Sequence, residues 1–450
     1  MARRFAVRGF DRRLVEGLEE FYAALAAAGG RYRFYCRRGR CWSVIEGGEA
    51  VEAVVSSTPG LVVEECRGPC REGGVLLPPP PRPAPPRPRE APRGPVVLGY
   101  SGGGEVGLAS DALWGHVAVL GATGSGKSHS AARVVRCAAE ALGVAGLVLD
   151  WHNEYHRLVP GARLLSGGSL PPVPLVSDAL GADEALAALE SVLGLSRNQS
   201  LLLSVLLSAA ATGDREAAAA LVARLLGPGE AADRVAGMLA SARGLRDLMR
   251  AALEAYRARG PEAPRGEAEA WAALIRRLAM LALDGRYSRL FTMRGVADLP
   301  LSEGEVSLID LSSILNPGVR RLYAMLLLEA VYASTQQGSA PATVAVVEEA
   351  HNFSDSATLP RLLGEARKYR LGVVVVTHTP RSLDHRVVAN TNTLLVHRIV
   401  SAEDLRLLEE LLPASTSYAL PRLPSGMAVL HTPGAREPVL LAVEEPGAPC

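Results

Sequence analysis

The stretch GATGSGKS, residues Gly121–Ser128, predicts the fold class of this 450-residue chain. It follows the apolar run VAVL (117–120) and opens into AARVVRCAAEAL, which has the apolar spacing of a helix. A strand, a glycine-rich loop and a helix in this order are the context in which G-x-x-x-x-G-K-S/T binds phosphate. Glycine allows the tight wrap in which several backbone N–H groups point at one anion, and the helix N-terminus adds its positive end. We therefore expect a phosphate-binding loop (P-loop) at this position.

Lys127 is the charged residue of the loop, and it is one of only two lysines in the chain, the other being Lys368. Because a compact ammonium and a planar guanidinium are not interchangeable at a phosphate, lysine at this one position indicates a functional site. We expect Lys127 to reach the β- and γ-phosphates of ATP and Ser128 to offer its hydroxyl to Mg²⁺. The nucleotide-binding prediction comprises Gly121, Ala122, Thr123, Gly124, Ser125, Gly126, Lys127, Ser128 and His129.

Two carboxylates end a second apolar strand, in ATVAVVEEAHNF (342–353). A P-loop ATPase needs an acidic residue there, because Mg²⁺ takes oxygen ligands and keeps several waters. We assign the metal role to Glu348, and we expect Glu349 to orient or deprotonate the attacking water. The alternative is a solvated acidic strand end. An earlier strand, GLVLD, ends in DWHNEY (150–155), where polar residues also lie at the edge at which open α/β sheets bind ligands.

The strand LGVVVVTHTP (371–380) ends in Thr377 and His378, which are placed to sense the γ-phosphate. A lone histidine is more often structural, but its position after this strand favours a sensor role. Arginines supplied by a neighbouring subunit neutralise charge in the transition state of many such enzymes. Arg367 and Arg398 are the candidates for this role, although an arginine of this kind is more often a surface or salt-bridged residue.

Composition limits the class of protein. The chain carries 48 Lys+Arg against 47 Asp+Glu, a net charge of +1, so no overall basic field indicates nucleic-acid binding. The length allows two or three domains. No apolar run reaches membrane-spanning length, and the charged start MARRFAVRGFDRR is unlike a signal peptide. We expect a cytoplasmic protein that does not itself span a membrane.

Residues 1–76 have the pattern of a small α+β domain. Strand signals at Arg3–Phe10, 32–36, 41–45 and 61–66 alternate with helical spacing over 11–28 and a short helical stretch near 49–56. The order βαββαβ predicts a ferredoxin-like fold. Its cysteines leave three interpretations open, namely a zinc site, two local disulfides, or buried thiols. The spacings C-x4-C and C-x3-C disfavour zinc, and in this fold the two pairs would lie at opposite ends of the sheet. The residues concerned are Cys36, Cys41, Cys66 and Cys70.

Residues 77–95, LPPPPRPAPPRPREAPRGP, form a Pro/Arg-rich segment that predicts a semi-rigid polyproline linker, with a docking motif for a proline-reading partner as the alternative. Residues 96–450 alternate strands and helices, which predicts a RecA-like α/β domain with a mostly parallel, doubly wound sheet. The Ala- and Leu-rich stretch at about 177–293 predicts an all-helical insertion within this domain.

These motifs together resemble the HerA–FtsK superfamily, and HerA-type DNA translocases of archaea and bacteria are the most similar members. The resemblance covers about residues 96–443 and is carried by five ordered motifs: GATGSGKS, DWHNEY, VVEEAHNF, ARKYRLGVVVVTHTPRSLD and NTNTLLVHRIV. It implies an ATPase motor that forms a homohexameric ring, with ATP bound between subunits and duplex DNA in the pore. It also implies a NurA-like nuclease as partner.

The chain departs from the HerA pattern at several places. HerA has a β-barrel where this chain has the small N-terminal unit and the proline segment, an arrangement somewhat similar to conjugative secretion ATPases. A membrane partner in DNA transfer is therefore an alternative to the nuclease. His378 stands at a position that is commonly Gln, Gly115 at one that is often basic, and Asn153 at a Gly. Three hypotheses follow: a DNA translocase or helicase acting in repair or DNA transfer, a secretion or assembly ATPase that moves protein, and a nucleotide-dependent scaffold with weak hydrolysis.

Overall fold

The computed structural model describes residues 3–37, 40–66, 70, 92–102, 104–176, 181–259, 264–295, 298–353, 356, 358–413, 416, 419–433, 435 and 437–450. The chain divides into two compact units, Met1–Pro85 and Pro86–Cys450. Most of the predicted polyproline linker, residues 77–91, lies outside the described residues. None of the helices in the described ranges combines the length and apolar character that crossing a membrane requires.

The N-terminal unit contains one antiparallel sheet with strand order β2-β3-β1-β4. This order confirms the ferredoxin-like prediction, because the first and third strands of the βαββαβ pattern are neighbours at its centre. Helix α1 begins at Asp11, whose carboxylate accepts the N–H groups of Arg13 and Leu14. Its elements are β1 (Arg3–Phe10), α1 (Arg12–Glu16), α2 (Leu18–Ala27), β2 (Arg31–Arg37), β3 (Arg40–Gly47), α3 (Glu49–Ser57) and β4 (Leu61–Glu65).

The cysteines of this unit are in part explained. Cys66 and Cys70 form a disulfide, so these two residues do not hold zinc. Cys66 N–H donates to the carbonyl of Arg4, near the start of β1, whereas Cys36 and Cys41 pair at the tip of the β2–β3 hairpin. The two pairs thus lie at opposite ends of the sheet, as the topology predicted. The side chains of Cys36 and Cys41 are outside the described set.

The second unit is built on an eleven-stranded sheet with order β6-β5-β17-β16-β15-β7-β14-β13-β8-β12-β9. The seven strands from β15 to β9 are parallel, and the other four continue the sheet in antiparallel pairing. The described strands of the second unit, of which β10 and β11 form a separate two-stranded sheet, are β5 (Val96–Ser101), β6 (Gly104–Leu108), β7 (Val117–Leu120), β8 (Ala145–Asp150), β9 (Arg163–Leu165), β10 (Val173–Val176), β11 (Phe291–Arg294), β12 (Val306–Asp310), β13 (Thr343–Val347), β14 (Leu371–Thr377), β15 (Thr393–Val396), β16 (Met427–His431) and β17 (Val439–Val443).

Helices cover both faces of this sheet, which is why its central strands are buried along their whole length. The arrangement confirms the RecA-like α/β prediction. The helices are α4 (Ser110–Trp114), α5 (Lys127–Leu142), α6 (Tyr155–Leu158), α7 (Ala182–Leu193), α8 (Arg197–Thr212), α9 (Arg215–Leu226), α10 (Glu230–Ala240), α11 (Leu245–Arg259), α12 (Arg265–Ala282), α13 (Gly285–Ser288), α14 (Pro317–Gln336), α15 (Thr358–Glu365), α16 (His385–Ala389) and α17 (Ala402–Glu409).

The helical insertion consists of α7–α13, and its boundaries differ from the prediction at the C-terminal end. Residues 291–293 belong to strand β11, which pairs in parallel with β10 and brings the two ends of the insertion together. Their composition, FTM, allowed a helix, and only the distant partner strand makes them extended. Gln199, at the start of α8, closes a capping box with Ser196 and accepts a hydrogen bond from Arg277 of α12.

Candidate active site

Four neighbouring strands deliver the polar residues of the site to one edge of the sheet. Strands β7, β14, β13 and β8 lie side by side and run in the same direction. The P-loop follows β7, His378 follows β14, the Glu348–Glu349 pair follows β13, and Asp150 ends β8. The carboxyl edge of a parallel sheet is where such folds bind ligands. The structure therefore brings together the motifs that the sequence separates by more than 200 residues.

The loop between β7 and α5 needs glycine for two distinct reasons. Gly121, Gly124 and Gly126 have φ of 155°, 73° and 111°, in the region that favours glycine. A Cβ at Gly121 would also lie 2.6 Å from the Cβ of His397 and 2.8 Å from Ser125 Oγ. The loop is thus held against the chain that follows β15.

Lys127 lies at the first position of α5 and points its Nζ back over the loop, donating to the carbonyl of Ala122 at 3.0 Å. Burial lowers the pKa of Lys127, while the nearby carboxyl groups of Glu349, Glu348 and Glu154 act in the opposite direction. The ammonium is thus partly desolvated and faces the acidic side of the site. This is a position from which it reaches an anion in the loop.

Two contacts that support the P-loop were not predicted from the sequence. His397 is buried, and its Nε2 lies 2.8 Å from Ser130 Oγ of α5, while burial lowers its pKa to about 4. On another side, Gly426 N–H donates to the carbonyl of Ser125 and Ser425 Oγ donates to the carbonyl of Gly124. The only local signal was the Ser-Gly turn before β16, which does not reveal what the turn contacts.

The DWHNEY segment forms a tight turn around the side chain of Asp150. This buried carboxylate accepts N–H groups from His152, Glu154 and Tyr155. Asn153 has φ of 59°, the left-handed conformation that asparagine tolerates better than most residues. The sequence predicted that this segment lies at the ligand-binding edge of the sheet. Within it, the side chain of Asp150 holds the turn together.

Glu348 is a buried carboxyl at the end of β13, only 4% exposed. Its Oε2 accepts the N–H of Trp151 at 2.8 Å. Burial, reinforced by the neighbouring carboxyl of Asp150, raises the pKa of Glu348 to about 8. A buried carboxyl whose charge is unfavourable in isolation is suited to a cation, because a bound ion restores the charged form.

Glu349 has φ of 50°, a conformation that is uncommon for a residue with a side chain. The turn directs its carboxylate towards three imidazoles. Its Oε2 lies 2.9 Å from His378 Nδ1 and 3.1 Å from His351 Nδ1, and its Oε1 lies 3.4 Å from His152 Nε2. The sequence predicted that Glu349 and His378 belong to one site; it did not indicate His351 or His152.

The P-loop and the two glutamates border a cavity of about 980 Å³. Thr377 lines it as expected, whereas Gly121, Ala122, Ser125 and His378 are not among its lining residues. The members of the predicted set that line the cavity are Thr123, Gly124, Gly126, Lys127, Ser128, His129, Glu348 and Glu349; further lining residues include His152, Asn153, Glu154, Arg157, Ser425 and Gly426.

Neither of the two candidate trans-acting arginines lines this cavity. Arg367 is exposed and borders a separate pocket with Asp111 and Trp114. Arg398 is half-buried, and its Nε makes no hydrogen bond with any described residue. Gly115, which stands where the HerA pattern often has a basic residue, faces Asn392. A Cβ added at Gly115 would lie 2.9 Å from Nδ2 of Asn392. A longer side chain would require Asn392 to move.

The fold and the site define the chain as a P-loop ATPase with a RecA-like core. The model of the family described as "Helicase HerA, central domain" matches residues 101–331, just over half of the chain. This protein therefore belongs to the HerA family, as its motifs indicated. No curated protein sequence gives a significant match to it.

Solved structures share the fold. The bacterial conjugative coupling protein TrwB, in its unbound monoclinic form, has a TM-score of 0.54 at 14% identity, covering 79% of this chain and 90% of its own. VirB4 of Thermoanaerobacter pseudethanolicus has a TM-score of 0.56 at 15% identity, covering 80% and 98%. TrwB in complex with ADP and Mg²⁺ has a TM-score of 0.53 at 15% identity, covering 80% and 91%. At these identities the similarity establishes the architecture.

Proposed function

We propose that this HerA-family ATPase is a DNA translocase or helicase that hydrolyses ATP with Mg²⁺ to move duplex DNA. One observation carries the proposal. The loop lysine Lys127, the buried carboxyl group of Glu348, and Glu349, whose φ is positive, line one cavity in a chain of the HerA family. The family is described as a helicase, and this description is the reason for proposing DNA as the substrate.

Mg²⁺ and ATP fit the donors present. The hydroxyl of Ser128 and the carboxyl of Glu348 are oxygen ligands of the kind that Mg²⁺ prefers. The Ser125 hydroxyl is buried and has no hydrogen-bond partner in the described part of the chain. The backbone of the loop, with its three positive-φ glycines, presents N–H groups for phosphate oxygens. Mg-ATP would supply the electrophilic γ-phosphoryl group.

The chain's own residues then perform two tasks. Lys127 neutralises phosphate charge, and the carboxylate of Glu349 takes a proton from the attacking water. His378 and His351 hold that carboxylate through their Nδ1 atoms, which fixes its direction. Thr377 and His378 follow the strand next to the loop, where a γ-phosphate sensor is expected.

Arg367 and Arg398 are proposed to act on the site of a neighbouring subunit, in a homohexameric ring. Their absence from the cavity of their own subunit is the arrangement that such a role needs. DNA would be gripped through backbone phosphates without base reading, so binding should weaken as salt rises. A NurA-like nuclease in repair, or a membrane partner in DNA transfer, would complete the assembly.

The test is the steady-state ATPase rate with and without linear duplex DNA, at low and moderate salt, with Lys127→Ala as the inactive control. Stimulation by DNA that falls with salt supports the proposal. Intact basal hydrolysis without stimulation refutes it. Tight ATP binding with a near-zero rate would instead identify a nucleotide-dependent scaffold.

A second candidate is a secretion or assembly ATPase, of the conjugation or secretion type, that moves protein rather than DNA. It is favoured by the shared fold with TrwB and VirB4 and by the small ferredoxin-like unit. This candidate predicts basal ATP hydrolysis that duplex DNA does not change. The same assay therefore separates the two functions.

A further inference from the structure

The environment of Glu349 contains a donor set that Mg-ATP chemistry does not require. Glu349, His351 and His378 each offer one ligand atom within 4.8 Å of the other two, and the Nδ1 atoms of both histidines contact Glu349 Oε2. The two imidazole rings meet edge to face, with centroids 4.9 Å apart and an angle of 81°. Both nitrogens thus converge on a single carboxylate oxygen from different directions. A sensor needs one such contact, not two.

The spacing of these atoms is close to that of a metal site. Zinc binds histidine nitrogen and carboxylate oxygen at about 2.0–2.2 Å, so two ligand atoms in a tetrahedral site are separated by about 3.3–3.5 Å. The distances from Glu349 Oε2 to His378 Nδ1 and His351 Nδ1 are 2.9 and 3.1 Å. Each of these two separations is within a few tenths of an ångström of the tetrahedral value.

A third imidazole contacts the other oxygen of Glu349 and lies outside the group of three donors. His152 Nε2 lies 3.4 Å from the other oxygen, Glu349 Oε1, and the His152 side chain is 52% exposed. The ring belongs to the turn after β8, so it approaches from a different strand than His351 and His378. Two imidazoles and one carboxylate, with a water as the fourth ligand, suit a borderline ion such as Zn²⁺, whereas Mg²⁺ prefers oxygen ligands alone.

We propose that Glu349, His351 and His378 bind a divalent transition-metal ion of the Zn²⁺ class, at a site distinct from the Mg²⁺ ligands Ser128 and Glu348. The site uses neutral imidazoles: as the ion takes the lone pair of each Nδ1, the proton carried there passes through water to Nε2 of the same ring, which stays neutral. Glu349 then gives its Oε2 lone pair to the metal, so this oxygen no longer accepts a proton from water. The ion therefore inhibits ATP hydrolysis; this effect, unlike the binding itself, rests on the proposed role of Glu349.

Binding is tested directly on the untagged, chelator-treated full-length protein without nucleotide or reductant. Co²⁺ is titrated as a spectroscopic substitute, its visible absorption is recorded, and Zn²⁺ is added as competitor. We expect one Co²⁺ per chain with the bands of a four-coordinate site, displaced by Zn²⁺. His351→Gln and His378→Gln should each weaken binding by about tenfold or more, while His385→Gln, at an exposed histidine on α16, should not. Equal affinity in the wild type and both site variants would overturn the proposal.

The inhibitory effect is tested by adding Zn²⁺ to the Mg²⁺-dependent ATPase assay without DNA. Inhibition should follow the Co²⁺-binding affinity and should need about tenfold more Zn²⁺ in His378→Gln than in His385→Gln. Metal binding without inhibition would overturn the regulatory part. Failure of DNA to stimulate the enzyme would count against the translocase proposal alone, since neither metal measurement involves DNA.

Discussion

Replacing Glu348 by glutamine should stabilise the nucleotide-free protein at alkaline pH while abolishing ATP hydrolysis. The carboxyl is 4% exposed and lies near Asp150, so its ionisation is unfavourable in the absence of a cation. Glutamine keeps a carbonyl oxygen that can accept the Trp151 N–H, which Glu348 accepts at 2.8 Å. It loses the anionic oxygen that the proposed Mg²⁺ site needs.

The magnitude follows from the pKa. The usual value of 4.5 rises to about 8 in the folded protein. A raised pKa means that the folded state binds the proton more tightly. The resulting stability is fully present below the unfolded pKa and is lost as pH rises through the folded one. Between about pH 6 and pH 9, ionisation of Glu348 should lower the free energy of unfolding of the wild type by about 2.7 kcal/mol, which corresponds to about two pH units at about 1.36 kcal/mol each. The neutral glutamine loses none of it.

The assay is urea denaturation of the full-length chain, free of nucleotide and divalent ions, followed by tryptophan fluorescence. Near pH 6 Glu348→Gln should already be the more stable by about 2 kcal/mol, because the Glu348 carboxyl is then protonated in the folded wild type but ionised in its unfolded chain. Near pH 9 the advantage of the variant should be larger than at pH 6 by about 2–3 kcal/mol. A difference that does not change with pH, or one that favours the wild type at pH 9, would refute the account of Glu348 as a carboxyl destabilised by burial.

Three further substitutions test the loop and the base. Lys127→Ala should lose binding of a fluorescent ATP analogue, whereas Lys368→Ala, at the only other lysine, should bind as the wild type does; equal binding by all three proteins would contradict the phosphate role. Glu349→Gln should retain ATP but lower turnover by about 10²–10⁴-fold, and single-turnover kinetics showing normal hydrolysis would place the base elsewhere. Gly121→Ala should be less stable than Gly124→Ala by about 1–3 kcal/mol, measured by thermal or urea unfolding, because only the former meets neighbouring atoms; equal losses would disprove the close contact with His397.

Sequence reasoning succeeded where a motif and its element are adjacent in the chain. The run VAVL and the apolar run before Glu348 were each predicted as a strand with a motif at its end, and both are strands, because strand period and motif are local properties. The order of the N-terminal sheet was likewise predictable from the βαββαβ pattern. The same logic placed Glu349 and His378 in one site, since parallel neighbours end at a common edge.

Sequence reasoning failed where two residues in contact are far apart in the chain and belong to no recognisable motif pair. Nothing near His397 or Gly426 indicates that each contacts the P-loop, since those contacts depend on strand order on the far side of β7. Strand β11 was assigned to the helical insertion because three residues are too few to show a period. The imidazole of His351 follows Glu349 by two positions, and only the left-handed turn at Glu349 brings them together.

The disulfide between Cys137 of α5 and Cys450 joins positions separated by 313 residues. Almost the whole ATPase unit therefore lies within one covalent loop, including the helical insertion and every strand from β8 to β17. A protease that cuts a single peptide bond anywhere in that loop leaves both fragments attached. On an electrophoresis gel such nicked protein would keep the mass of the intact chain until a reductant is added, and then separate into two pieces.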